Sequence, residues 1–216
     1  MSSTEILALR EQYGTSDQQR EVSTIGMWIF LATEVMFFGG LFAGFAIYRM
    51  YYTQGFMEGS AEMEIILGSV NTAVLITSSL TMALSVYNIS IGKQFRTYLL
   101  LLTTAVLGLV FLGIKFTEYY LHYQHHKVPG IWFESSSPHS GAIELFFVYY
   151  FCMTGLHALH MIIGISIVCV FAIRTALGRF NARYHTPISI LGLYWHFVDI
   201  VWVFLFGIFY ISGLHR

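Results

Sequence analysis

Two histidines, His157 and His160, lie inside a long apolar run of the chain, in the stretch TGLHALHMIIG (154–164). They are three residues apart, so on a helix they are near neighbours. An imidazole without polar partners is costly among hydrocarbon groups. A mononuclear metal site needs three or four ligands, and this spacing supplies two. The pair is therefore either part of a metal or haem site completed by another segment, or a hydrogen-bonded feature of helix packing, which is the commoner case.

Other ionisable residues also interrupt apolar segments. Glu34 lies about halfway along MWIFLATEVMFFGG, with no basic residue on its own helix at hydrogen-bonding spacing. Ionisable residues at such depth are functional candidates by default, so Glu34 is a candidate for proton handling or for a polar anchor to a neighbouring helix. The alternative is a neutral carboxyl group satisfied by a hydroxyl group or water. Lys115 and Glu118 in GIKFTEYY are three apart and predict a partly buried ion pair near one membrane interface.

The last apolar segment contains YWHFVDIVW (194–202), in which His196 and Asp199 are three residues apart. A carboxylate at that spacing can hold an imidazole. The contact would either orient a ligand or satisfy both groups. The density of polar and aromatic residues indicates a helix that faces protein rather than lipid.

Composition decides the environment of these residues. The chain has 216 residues, of which 56% are hydrophobic and 11% charged, whereas a soluble domain has about 25% charged residues. Its net charge is −1 and it has no basic run, which excludes a nucleic-acid-binding protein. Cys152 and Cys169 both lie in apolar segments and are interpreted as packing residues.

Five apolar segments are each long enough to cross the hydrocarbon core of a bilayer, which takes a helix of roughly 20 residues. The predicted fold class is therefore all-α, a polytopic membrane protein with a five-transmembrane-helix bundle. A polar tail, 1–22, precedes one membrane domain, 23–216. The predicted spans are 23–49, 65–91, 97–121, 141–173 and 187–213.

Basic residues predict the orientation of the bundle, because they concentrate on the inner side of a membrane. Seven are on the side of the N-terminal tail and three on the other side, with Lys115 inside a span. The N-terminus is therefore predicted inside and the C-terminus outside. The two sets are Arg10, Arg20, Lys93, Arg96, Arg174, Arg179 and Arg183, and Arg49, Lys127 and Arg216.

The histidine motifs also suggest an alternative function, that of a membrane-bound di-iron enzyme. The HxxHH pattern at 122–126, together with HALH, is similar to the histidine boxes of membrane di-iron desaturases and hydroxylases. Those boxes lie largely on one side of the membrane. The predicted spans instead put 122–126 just outside a span and HALH well inside the bilayer, which argues against this function.

Five motifs, one in each span and in the same order, resemble subunit III of the haem–copper respiratory oxidases. The similarity is greatest to the five-helix bacterial cytochrome c oxidase type. The motifs are GMWIFLATEVMFFGGLF (26–42), NTAVLITSSLTMA (71–83), LGLVFLGIKFTEYY (107–120), GLHALHMIIG (155–164) and YWHFVDIVWVFLF (194–206).

The resemblance implies an accessory subunit in a bacterial plasma (inner) membrane, with no catalytic residue, no metal and no redox centre of its own. It implies packing beside oxidase subunits I and II, which hold the haem and copper, and binding of phospholipids. The subunit would support proton uptake and protect against inactivation during turnover. It would belong to an enzyme only as part of a complex that reduces O2 to water and pumps protons.

The resemblance also assigns residues. The buried or proton-linked family positions fall on Glu34, Glu118, His157, His160, His196 and Asp199. We expect His157 and His160 to reach Glu34 or a group on the last helix. Contacts with lipid or subunit I are expected at Trp28, Asn71, Arg179, Arg183, His185, Trp195 and Trp202. For Arg179, Arg183 and His185, ordinary positive-inside topology is the commoner explanation.

The chain departs from the longer members of the family, which have seven spans and a lipid-filled cleft beside the first two. We expect the two missing helices to be an extension of subunit I. Ser189 stands where the family often has a carboxylate. Two alternatives stay open: the same subunit in a quinol oxidase, and a related accessory membrane protein linked to nitric oxide reductase.

Overall fold

The apolar segments form helices because a helix satisfies every backbone N–H and C=O group within one segment, which a bilayer requires. The computed structural model describes residues 15–130, 133, 137–182 and 184–211. Six α-helices and one π-helical turn occur in this part of the chain, and no strand. They are α1 Ser16–Tyr51, α2 Thr53–Ala61, α3 Ile65–Ser90, α4 Gln94–Gln124, α5 Ser140–Ala176, α6 Thr186–Phe206, and the π-helical turn Gly207–Ile211.

All five predicted spans are confirmed as helices that are long and apolar enough to cross a membrane. They are α1, α3, α4, α5, and α6 with its π-helical turn. The longest, α5, has 37 residues and extends about 55 Å at 1.5 Å per residue. Because the hydrocarbon core is about 30 Å thick, its ends reach beyond the apolar layer.

The arrangement is a bundle with one loosely attached helix. The α3 and α4 helices form an antiparallel pair, and α6 packs against both α3 and α5. The edge helix, α1, buries one stripe, with Leu31, Phe38 and Phe45 at intervals of seven residues. Most of its other side chains are exposed, which leaves α1 with a broad apolar face for lipid or protein.

The short helix α2 lies in residues 50–64, between the first two predicted spans. Glycines lower its intrinsic helix propensity, but they allow it to lie close to α5. A Cβ atom built at Gly59 would lie 2.7 Å from Cδ1 of Phe146. Phe56 is buried against Phe45 and Phe146, so α2 covers one end of the aromatic core.

The connection between α5 and α6 is also folded. Phe180 is buried in a small cluster with Ile89 and Ile188. Its carbonyl accepts a hydrogen bond of 2.7 Å from Nε2 of Gln94. This connection therefore ties the start of α4 to the turn before α6.

The close approach of α2 to α5 can be tested with Gly59→Ala. We expect a loss of about 1–3 kcal/mol of stability, because the new methyl group overlaps the fully buried ring of Phe146. Gly155→Ala is the control, since a Cβ there meets nothing within 4 Å. Thermal unfolding of the purified protein measures both variants, and an equal effect of the two would contradict the packing described.

Candidate functional site

A lysine and a glutamate on α4 form an ion pair enclosed by the bundle. Lys115 Nζ donates hydrogen bonds to Glu118 Oε2 at 2.9 Å, to the Tyr150 hydroxyl at 3.0 Å and to the Tyr210 hydroxyl at 2.9 Å. Both tyrosine hydroxyls donate to Glu118 Oε1, that of Tyr150 at 2.8 Å. All three ammonium donors are used. We call these four residues the Lys115 cage.

The walls of the Lys115 cage are aromatic. Lys115 Nζ lies 4.9 Å from the ring centroid of Tyr150 and 5.0 Å from that of Trp202, within the range of cation–π attraction. The Lys115 and Glu118 side chains are only 2% and 1% exposed. The predicted pairing of Lys115 with Glu118 is therefore confirmed, whereas the prediction that the pair is only partly buried is wrong.

The π-helical turn brings Tyr210 to this position. Tyr210 approaches α3 at Gly68, where an added Cβ would lie 2.8 Å from the tyrosine ring. In sequence, Tyr150 and Tyr210 are 32 and 92 residues from Glu118. Helical spacing therefore gave no signal for either tyrosine. Such π-helical segments are frequent at functional sites.

The second polar site is an ion-pair contact between α1 and α5. Nε2 of His160 lies 3.2 Å from Oε2 of Glu34, and Nδ1 of His160 is 2.8 Å from the Leu156 carbonyl. A carbonyl only accepts, so Nδ1 carries a hydrogen. The Nε2–Oε2 contact is within ion-pair distance, but Glu34 Oε2 makes no hydrogen bond of ordinary geometry with the described residues. The expected link between an α5 histidine and Glu34 is present for His160.

This pair lies at the edge of the bundle. The His160 and Glu34 side chains are 15% and 18% exposed, and the Tyr194 hydroxyl donates to the His160 carbonyl at 2.9 Å. The pair therefore lies close to the lateral surface between α1 and α5.

His157 faces the interior instead. Its ring lies 5.5 Å from that of Phe111 and 5.2 Å from that of Trp202, between centroids, and the residue is 1% exposed. It therefore reaches the last helix by ring packing with Trp202. Neither of its nitrogens has a hydrogen-bond partner in the described residues. The two histidines have different partners although they are three residues apart.

The predicted contact between His196 and Asp199 is not formed. Nδ1 of His196 hydrogen-bonds the Ser79 hydroxyl on α3, at 2.7 Å. Neither carboxylate oxygen of Asp199 makes a hydrogen bond of ordinary geometry within the described part of the chain. The three-residue spacing on α6 predicted that His196 would contact Asp199 of the same helix. The partner of the His196 imidazole is instead the Ser79 hydroxyl of the neighbouring helix α3.

The contact of His196 belongs to a polar seam between α3 and α6. The indole N–H of Trp195 donates to Ser78 Oγ, and that of Trp202 donates to Thr72 Oγ1, each at 3.1 Å. We call these contacts, with that of His196, the α3–α6 seam. These three hydrogen bonds hold the aromatic motif of the last helix against α3.

The residues expected to contact lipid or subunit I are in three different environments. Asn71, Trp195 and Trp202 are at most 1% exposed, so the expectation of such contacts is wrong for them. They are interior because α3 and α6 pack their polar faces together. Trp28 is 59% exposed, Arg179 is exposed and His185 half-buried, and Arg183 lies outside the described residues.

Histidine, cysteine and acidic side chains do not converge on a metal-like arrangement in the ranges that the structure describes. No group of three or more of them could hold a metal ion there. The two histidines that raised this question are engaged with Glu34 and with the aromatic core. Their arrangement matches the helix-packing interpretation of HALH.

Comparison with known proteins gives a consistent result. The family model described as Cytochrome c oxidase subunit III matches residues 13–214. The chain is 32% identical over 192 residues to Cytochrome c oxidase subunit 3 of Thermostichus vulcanus, covering 87% of this chain and 86% of the relative.

Other similar proteins have different names. One is Cytochrome bo(3) ubiquinol oxidase subunit 3 of Pseudomonas aeruginosa, 29% identical over 191 residues, with 88% of this chain and 85% of the relative covered. Another is Probable cytochrome c oxidase subunit 3 of Nocardia farcinica, 33% identical over 187 residues, with 87% and 86% covered.

Lys115→Met tests the Lys115 cage. It leaves the Glu118 carboxylate buried without its counter-charge, so we expect a loss of about 3–5 kcal/mol of stability. The double variant Lys115→Met/Glu118→Leu should recover most of that loss. Lys127→Met is the control, because its 2.9 Å ion pair with Glu62 is partly exposed and should contribute at most about 1 kcal/mol. Thermal unfolding measures all three, and a double variant as unstable as the single one would argue against a charge effect.

The link between Glu34 and His160 can be tested with two substitutions. In Glu34→Gln the amide N–H can donate to Nε2, so we expect near-normal stability. Glu34→Leu leaves Nε2 without a partner and should cost about 1–3 kcal/mol. Unfolding temperature and the yield of purified protein are the readouts. Equal behaviour of the Gln and Leu variants would show that this contact does not matter for stability.

Proposed function

Since the chain belongs to the cytochrome c oxidase subunit III family, we propose that it is an accessory subunit that serves electron transfer to O2 without holding a redox centre. It is a multi-pass protein of the bacterial plasma membrane and a subunit III of the haem–copper oxidase family. The observation that carries the proposal is the match over residues 13–214, which includes all five membrane-spanning helices.

The arrangement of the polar residues supports a structural role for them. His160 pairs with Glu34, His196 bonds Ser79, and His157 is enclosed by aromatic rings. These contacts use the histidines to hold helices together. We therefore place the haem and copper in partner subunits and none in this chain.

The Glu34–His160 pair supports a link to proton uptake. It brings a carboxyl group within 3.2 Å of an imidazole inside two membrane-spanning helices, and it lies close to the lateral surface of the bundle. A neighbouring subunit I packed over this edge would exclude lipid from the pair. In that position the pair would contribute a fixed polar environment beside the proton-conducting pathway of subunit I.

The exposed face of α1 supports the proposed partners. Few residues of this helix are buried, and large apolar side chains such as Trp28, Met36 and Met50 are exposed. Two further helices from subunit I, together with phospholipids, would cover this face. Protection against inactivation would follow from holding these contacts in place during turnover.

The electron donor has two candidates, cytochrome c and a quinol. Both kinds of oxidase occur among the names of similar proteins, with comparable identity and coverage. The donor would bind on subunits I and II, so either candidate is compatible with the same five-helix bundle.

Purification through a tag on this chain, in mild detergent, tests the proposed function. We expect the other oxidase subunits to co-purify and the complex to show haem in a reduced-minus-oxidised spectrum. The separated chain should contain no haem, iron or copper. Recovery of the chain with nitric oxide reductase components, or with iron of its own, would overturn the proposal.

Turnover measurements on the complex with and without this chain test its accessory role. We expect a similar initial rate of O2 reduction in both preparations, followed by a faster decline of activity in the complex that lacks the chain. Immediate and complete loss of O2 reduction would instead indicate a direct part in the chemistry.

A further inference from the structure

The outward side of α6 forms the floor of a groove between α1 and α3. On one side α6 packs against α1, where the ring centroids of Phe204 and Phe42 are 6.0 Å apart. On the other side it is joined to α3 by the α3–α6 seam. Within the described residues, α1 and α3 have at most marginal contact with each other. The side of α6 that lies between them is therefore left open.

Three residues of α6 lie on this open side. His196, Ile200 and Val203 follow one another at intervals of four and three residues, so they share one face of the helix. Ile200 and Val203 are exposed and His196 is half-buried. On α3, Ile76 lies one turn before Ser79, the partner of His196, and is exposed as well. We call the surface formed by His196, Ile200, Val203 and Ile76 the His196 groove.

One nitrogen of His196 is left for a partner from outside. Nδ1 is engaged by the Ser79 hydroxyl, whereas no hydrogen bond reaches Nε2 from the described residues. Both nitrogens of His157 are enclosed and without a partner, but Nε2 of His196 is not among such enclosed atoms. It is therefore accessible from the groove, where it is a polar atom on an otherwise apolar surface.

Asp199 does not supply the missing contact, although it is three residues from His196 on α6. Neither of its carboxylate oxygens makes a hydrogen bond of ordinary geometry with the described residues, and both are enclosed. The polar neighbour of this carboxyl group is the Ser79 hydroxyl, which also bonds Nδ1 of His196. Ser79 therefore serves both side chains, and Nε2 of His196 needs a group that does not belong to this site.

The depth of His196 in the membrane limits what that group can be. The last span, α6 with its π-helical turn, covers Thr186–Ile211. At about 1.5 Å per residue, His196 lies about 15 Å from the start of this span and about 22 Å from its end. Because the hydrocarbon core is about 30 Å thick, lipid headgroups and bulk water do not reach the imidazole. A polar side chain of another transmembrane helix does, and hydrogen bonds of this kind join helices in membranes.

We propose that the His196 groove binds a transmembrane helix of a different subunit, which presents a hydroxyl or carboxamide side chain to Nε2 of His196. Such a side chain both donates and accepts, so it fits either tautomer of a neutral imidazole. A charged side chain would be far more costly at this depth. The apolar residues of the groove pack against the same helix. The inference rests on the proposed function in one respect, that the chain is part of a membrane complex.

Filling the groove tests whether a helix enters it. Val203→Trp places a bulky side chain on its floor, whereas Val170→Trp places the same side chain on α5, at a valine that is also 49% exposed. Both sites are open in the chain itself, so its yield and unfolding temperature should be unchanged. After purification through a tag on this chain in mild detergent, we expect less of one partner subunit per chain in Val203→Trp only. An equal loss in both variants, or no loss in either, would overturn the proposal.

Two substitutions of His196 test the hydrogen bond. The amide of His196→Gln reaches the position of Nε2, while that of His196→Asn reaches only the position of Nδ1, which faces Ser79. We expect the Gln variant to retain the partner subunit and the Asn variant to bind it about fivefold more weakly, the effect of one net hydrogen bond. The ratio of partner to chain on dilution of the purified complex measures this. Equal retention by the two variants would contradict a bond at Nε2.

Cryo-electron microscopy of the purified complex identifies the occupant and separates this inference from the proposed function. A helix of another subunit in the His196 groove, with a polar side chain at Nε2, is the expected result. If the chain co-purified with a different membrane complex, that helix would still be expected. If an oxidase co-purified and the groove held acyl chains, detergent, water or a second copy of this chain, the family function would stand and this inference would fail.

Discussion

The burial of a charged pair among lipid-facing helices constrains the rest of this bundle. Lys115 and Glu118 are separated from water, so every donor and acceptor between them must be matched within the protein. Tyr150 of α5 and Tyr210 of the π-helical turn complete that match. The position of α5 and the end of the last helix are therefore tied to α4 by hydrogen bonds, and Trp202 is packed over the charge.

The same requirement explains the contacts between α3 and α6. Lipid tails are as apolar as leucine, so helices in a bilayer associate through close packing and hydrogen bonds rather than through hydrophobic burial. The α3–α6 seam supplies the hydrogen bonds. Glycines on two other neighbours of α6 leave space for its aromatic side chains: a Cβ at Gly108 of α4 would lie 3.1 Å from Trp195, and one at Gly164 of α5 would lie 3.1 Å from Tyr194. These interactions place the aromatic motif of the last helix in the interior.

The two histidines of HALH show how one motif can serve two purposes. His160 turns toward the edge helix and contacts Glu34, while His157 turns toward the centre and packs on Trp202. Both contacts hold helices in register, which fits a subunit that contributes a polar framework. The edge helix α1 is attached by few contacts of this kind, and its apolar outer face is the part of the bundle suited to a partner.

The amino-acid sequence by itself determined the five spans, the ion pair of Lys115 and Glu118, and the link between an α5 histidine and Glu34. Apolar length and helical spacing are sufficient for such features, and five ordered motifs are sufficient for the family. Only the tertiary structure decided the enclosure of the ion pair, the helix α2, and the pairing of His196 with Ser79 rather than Asp199. These three features depend on contacts between side chains up to 117 residues apart in sequence. Which of these side chains come into contact is decided by the rotation of each helix about its axis.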